Sequence, residues 1–87
     1  MSYAVLISAV ARRAIGDLPA NVRARVDRAI LALADEPRPH GCVKLAGTSN
    51  GWRIRVGDWR VLYTIEDERL VVLVVDVGHR REVYRAL

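Results

Sequence analysis

The feature that most constrains this chain is residues 51–63, where two alternating runs, Trp52-Arg53-Ile54-Arg55-Val56 and Trp59-Arg60-Val61-Leu62-Tyr63, flank Gly57-Asp58. A two-residue loop with glycine first marks a type II′ hairpin, whose twist matches that of the strands it joins. The register follows from that loop. Val56 should face Trp59, Arg55 should face Arg60, Ile54 should face Val61, Arg53 should face Leu62 and Trp52 should face Tyr63. One face of the hairpin is then Trp52, Ile54, Val56, Trp59, Val61 and Tyr63, which must be buried. The other carries Arg53, Arg55 and Arg60, with two of the three arginines directly opposed. Like charges so placed cost stability. Most charge clusters are solvated strand faces, but three arginines without a carboxylate on their face suit a polyanion better than mere solubility.

The remainder of the chain has to cover the apolar face. Residues 3–7 are a short apolar run expected to form a strand, and Ser8 is a good N-cap for a helix over residues 9–17, with Val10, Ala14 and Leu18 at four-residue spacing. Pro19 can sit in the first turn of a second helix. Val22, Val26, Ala29, Ile30 and Leu33 form the clearest helical stripe in the chain, with Arg23, Arg25, Asp27 and Arg28 on the opposite side. Residues 36–41, with two prolines and a glycine, end that helix. Residues 42–45 can form a brief strand, residues 46–51 a turn, and Glu66-Asp67-Glu68 the turn after the hairpin. Residues 70–77 read as a strand buried on both faces, interrupted in character only by Asp76 and ended by Gly78. Residues 79–87 would close the chain as a short helix or irregular tail. The order β-α-α-β-β-β plus a short C-terminal helix predicts an α+β domain, two N-terminal helices packed on one face of an antiparallel sheet. At 87 residues the chain is expected to be one domain, residues 1–87.

Composition excludes several function classes. A net charge of +4 makes nucleic acid the leading partner class. Cys42 is the single cysteine and His40 and His79 are the two histidines, which argues against a zinc site and against a metal-centred enzyme. No cofactor is called for. No apolar run reaches a membrane span or a signal peptide, so a cytoplasmic location is expected, with no membrane partner.

The ordered set Lys44-Leu45-x-Gly47, Trp52-Arg53-x-Arg55, Gly57-Asp58-Trp59-Arg60-Val61-Leu62-Tyr63, Val77-Gly78-His79-Arg80 and Glu82-Val83-Tyr84 resembles the RelE branch of the RelE/ParE toxin superfamily. The resemblance runs over essentially the whole chain. It implies a microbial-ribonuclease-like sheet and the toxin of a toxin–antitoxin system, an mRNA interferase that cleaves mRNA in the ribosomal A site against ribosomal RNA. It also implies a cognate RelB-like antitoxin bound in a hetero-oligomer. Carried over by position, Arg53 and Arg55 would grip the RNA backbone, with Lys44 beside them as a substrate contact. Arg60 would meet the scissile phosphate, Arg80 the transition state or leaving group, and Tyr84 a base or a proton. Where better-known members carry lysines this chain has Arg53 and Arg55, which titrate too high to act as bases. Of the assigned set only His79 ordinarily titrates near neutrality, at about 6.5, so it is a candidate for proton transfer, with Tyr84 or a ribosomal group as alternatives. The competing readings are a ParE-like toxin that poisons DNA gyrase and a basic RNA-binding module.

Overall fold

In the computed structural model, which describes residues 2–79, the hairpin consists of β3 (Gly51–Val56) and β4 (Trp59–Glu66). All five expected pairs form, from Val56 with Trp59 to Trp52 with Tyr63. Gly57 adopts φ 63° while Asp58 stays at negative φ, the pattern a type II′ turn requires.

Three further strands complete the sheet: β1 (Ala4–Ile7), β2 (Val43–Lys44) and β5 (Val71–His79). Their order is β1-β5-β4-β3-β2. The pairings from β2 to β5 are antiparallel, but β1 lies parallel to β5, Ala4 opposite Val71 through Ile7 opposite Val74. The sheet is therefore mixed rather than wholly antiparallel. The chain returns to the sheet through two helices, α1 (Ala9–Gly16) and α2 (Ala20–Ala32), and strands joined only through a long connection can lie parallel. β5 also runs further than expected. Gly78 does not end it, because Gly78 and His79 pair with Arg60 and Trp59 at the start of β4. The strand begins at Val71, since Leu70 is held at φ 54° in the preceding turn. The C-terminal helix or tail expected over residues 79–87 does not begin at His79, which ends β5; the rest of it lies outside the described residues.

Both helices cover one face. Ala11 and Ile15 from the first, Leu18 from the connection, and Val26, Ile30 and the C-cap Leu33 of the second pack on Ile54, Val56, Val61, Tyr63, Ile65, Val72, Val74 and Val77, all buried. The second helix thus buries the stripe legible in its sequence. The first is rotated by one residue from expectation, with Ala11 buried and Val10 61% exposed. Its rotation is set by Ser8, whose Oγ accepts the Ala11 N–H at 3.1 Å and donates to the Val75 carbonyl at 2.8 Å. Pro19 precedes α2 as its N-cap rather than lying in its first turn.

The loop after α2 is tied down by side chains. The Tyr63 hydroxyl, carried by a fully buried ring, donates to the Pro37 carbonyl at 2.7 Å. Arg38 grips Asp67 with two hydrogen bonds of 3.1 and 2.7 Å, and its guanidinium lies 5.2 Å from the centre of the Trp52 ring. Tyr3 donates to the same carboxylate at 2.7 Å. The segment leading into β1, this loop and the β4–β5 turn therefore converge on Asp67.

Candidate nucleic-acid interface

Side chains alternate along a strand, so burying Ile54, Val56 and Val61 beneath the helices turns Arg53, Arg55 and Arg60 to the opposite face. Arg55 stands directly across from Arg60. Arg55 is exposed, while Arg53 and Arg60 are half-buried. Among the described residues neither Arg53 nor Arg55 enters an ion pair. Two guanidinium groups held opposite one another disfavour the folded chain by a few tenths to about 1 kcal/mol. Guanidinium groups placed this way are the donors that could hold a phosphate. Leu62, in register with Arg53 on this face, is fully buried and forms an apolar floor.

The register of β5 changes the chemistry of this face. Tyr63 pairs with Val74 but Leu62 pairs with Asp76, leaving Val75 as the extra residue of a β-bulge. A bulge resets the alternation of side chains. Val72 and Val74 face the helices, and so does Val77, because the bulge lies between them. Unbroken alternation would have put Asp76 in the core. Instead Asp76 and Gly78 share the face of the arginines, Asp76 opposite Leu62 and Gly78 opposite Arg60. The expectation that no carboxylate stands on this face is thus overturned. The Oδ1 of Asp76 accepts the Val77 N–H at 2.8 Å, which supports the bulge from its own strand. No periodicity in the apolar run announces the bulge; the carboxylate at Asp76 is the signal that could have found it.

The same bulge separates His79 from the arginines. His79 pairs with Trp59, and the two rings meet edge to face with centres 5.0 Å apart. By register it shares the Trp59 face, not that of Arg60. Lys44 also falls on the other side of the sheet, paired with Trp52 on the edge strand, and its ammonium donates to the Thr48 carbonyl at 3.1 Å. Of the residues singled out from sequence, the fold brings together Arg53, Arg55 and Arg60; it does not bring Lys44 or His79 to them. Arg80 and Tyr84 lie outside the described residues. Arg25 approaches the hairpin tip from α2, with guanidinium atoms 3.6–4.0 Å from the point where a Cβ on Gly57 would sit, so positive charge continues past the end of the hairpin.

This fold, with a basic sheet face opposite its helices, is that of a toxin from a type II toxin–antitoxin system. The chain belongs to the ParE toxin family of such systems (parDE), whose sequence pattern matches residues 5–84. It is similar to Toxin RelG of Mycobacterium tuberculosis, at 37% identity over 89 residues, spanning 98% of this chain and 99% of that protein. Among solved structures it resembles the RelBE2 toxin–antitoxin complex of Mycobacterium tuberculosis, with a TM-score of 0.80 and 30% identity over 92% of this chain and 100% of that one. The archaeal RelE–RelB complex of Pyrococcus horikoshii gives a TM-score of 0.82 and 28% identity, covering 95% and 100% of the two chains. The isolated RelE toxin of E. coli gives 0.80 and 26%, covering 97% and 93%.

Proposed function

We propose that this toxin is a ribosome-dependent endoribonuclease that cuts mRNA in the ribosomal A site. The observation that carries the reading is the opposed pair Arg55 and Arg60, with Arg53 beside them, on the sheet face that the helices leave open. In such cleavage the 2′-OH attacks the adjacent phosphate, giving a cyclic phosphate and a free 5′-OH. The transition state gains negative charge on phosphorus-bound oxygens. Fixed guanidinium groups aimed at that charge supply the stabilisation, and losing one such donor costs roughly 3 kcal/mol. Arg53 and Arg55 hold the backbone and Arg60 the scissile phosphate, while the resemblance to RelE toxins gives Arg80 and Tyr84 the leaving-group and base contacts. The ribosome supplies the ordered mRNA.

The toxin is held inactive by a cognate RelB-like antitoxin, a reading supported by similar toxins being known as RelBE2 and RelE–RelB complexes. An acidic, largely helical segment would neutralise the arginines.

Membership of the ParE family favours one alternative, a toxin that poisons DNA gyrase without cleaving RNA. Expression of the chain with primer-extension mapping of mRNA separates the two. Cuts within reading frames that vanish when translation is blocked support the ribonuclease; DNA breaks without mRNA cuts reject it.

A further inference from the structure

Cleavage by 2′-OH attack needs a group to take the hydroxyl proton, and the described residues of the arginine face offer few. Arginine does not deprotonate at physiological pH, Leu62 and Gly78 have no titratable group, and by register His79 shares the other side of the sheet with Trp59. Asp76 remains.

We infer that Asp76 is the proton acceptor for the attacking 2′-OH, a role that rests on the ribonuclease reading above. The β-bulge at Val75 turns Asp76 onto the face of Arg53, Arg55 and Arg60. Its Cα is opposite Leu62, which is in turn opposite Arg53. Arg60 is the diagonal neighbour, opposite Gly78; such diagonals span about 7–8 Å between Cα atoms. Gly78, opposite Arg60, adds no side chain to this face.

The charged groups on the face of Asp76 come from β3 and β4. From β4 there is Arg60, and from β3 there are Arg53 and Arg55. From β1 the neighbours on this face, Ala4 and Leu6, are uncharged. Glu66 is at the far end of β4, paired with Val71 and engaged by Arg69 at 3.2 Å. A positioned carboxylate can take a proton from a reacting hydroxyl in the transition state.

The step balances. The 2′-OH proton passes to the Asp76 carboxylate as the O2′–P bond forms. The P–O5′ bond breaks, the departing 5′ oxygen is protonated from water, and Asp76 returns its proton to solvent. The products are a 2′,3′-cyclic phosphate and a 5′-OH.

The experiment is single-turnover cleavage of mRNA on programmed ribosomes as a function of pH, for the full chain and for Asp76→Asn. Asparagine keeps an oxygen to accept the Val77 N–H, so the bulge is conserved while the proton acceptor is lost. The variant is expected to melt and to bind ribosomes as wild type does, to cleave about 10²-fold or more slowly, and to lose the acid limb of the profile. Asp76→Ala supplies a second readout, since added formate should accelerate it and leave wild type unchanged. An Asp76→Asn rate within about threefold of wild type, an acid limb that persists in the slow variant, or an Asp76→Ala that formate does not accelerate would each overturn the assignment while leaving the ribonuclease reading intact. A wild-type chain that cleaves nothing on programmed ribosomes overturns that reading itself, and the role of Asp76 with it.

Discussion

The hydroxyl of Ser8 donates to the carbonyl of Val75 at 2.8 Å, across 67 residues of sequence. One side chain thus caps the first helix and ties the bulge of β5 to the end of β1. The Ser8 N–H reinforces this by donating to the Val74 carbonyl at 2.9 Å. Removing the hydroxyl exposes both roles. Ser8→Ala is expected to cost about 1–2 kcal/mol, the range for a lost helix cap, read as a lower urea midpoint at unchanged slope. Amide exchange at Val77 should accelerate more than at Val72, because the bulge loses its anchor while the parallel pairing of β1 with β5 persists.

Tyr63 carries a second buried contact. Its hydroxyl satisfies the Pro37 carbonyl at 2.7 Å, and Tyr63→Phe leaves that acceptor without its partner, at a cost of about 1–3 kcal/mol. Burial pushes the Tyr63 phenol well above its usual value, with the neighbouring Cys42 adding to the rise. A raised folded pKa means that the unfolded chain gives up this proton first. The contribution of Tyr63 is thus complete below about pH 10 and is lost as pH climbs above it. Urea titrations between neutral and alkaline pH should show wild type losing stability more steeply than Tyr63→Phe.

At the acid end the relevant group is Asp67. Hydrogen bonds from Arg38 first and Tyr3 second hold its carboxyl down at about 2. A depressed folded pKa gives stability that is present above the ordinary carboxyl value of about 4 and disappears as pH falls towards about 2. Asp67→Asn should flatten the acid limb of the stability profile in that window. Because the cluster is exposed, raising salt should shrink the difference between the two proteins.

Gly57 sets the hairpin. It sits at φ 63°, a conformation that costs an L-residue roughly 1 kcal/mol, and a methyl there would meet Arg25 only at ordinary contact distance. Gly57→Ala should therefore lower stability by about that amount through the backbone rather than by a clash. The matching Gly57→Asn, which tolerates positive φ, should lose less in the same melt.

Binding of a RelB-like antitoxin should weaken with salt yet survive it, if charge and apolar contacts share the interface. Arg53→Glu is expected to lose about tenfold or more in affinity, chiefly at low salt. Calorimetric titration at low and high salt checks this. Equal affinity of wild type and Arg53→Glu would mean that the antitoxin leaves the arginine face uncovered.

Much of the molecule is local in origin, and that part was open to reading. Gly57-Asp58 set the turn, the turn set the register, and the register set which residues of the hairpin are buried and that Arg55 meets Arg60. The stripe from Val22 to Leu33 likewise determined the buried side of α2, because helical periodicity is a property of the chain itself. Three features depended on contacts distant in sequence. The parallel pairing of β1 with β5 requires the chain to pass over the sheet first. The rotation of α1 that buries Ala11 instead of Val10 follows from Ser8 reaching Val75, since apolar residues at both positions fit a helical face equally well. The bulge at Val75 leaves no periodic mark in a run of valines and leucine, and Asp76 is the one residue of the run whose polarity points to it. Only pairing with β4 fixes the parity, and that parity decided that Asp76 joins the arginines while His79 does not.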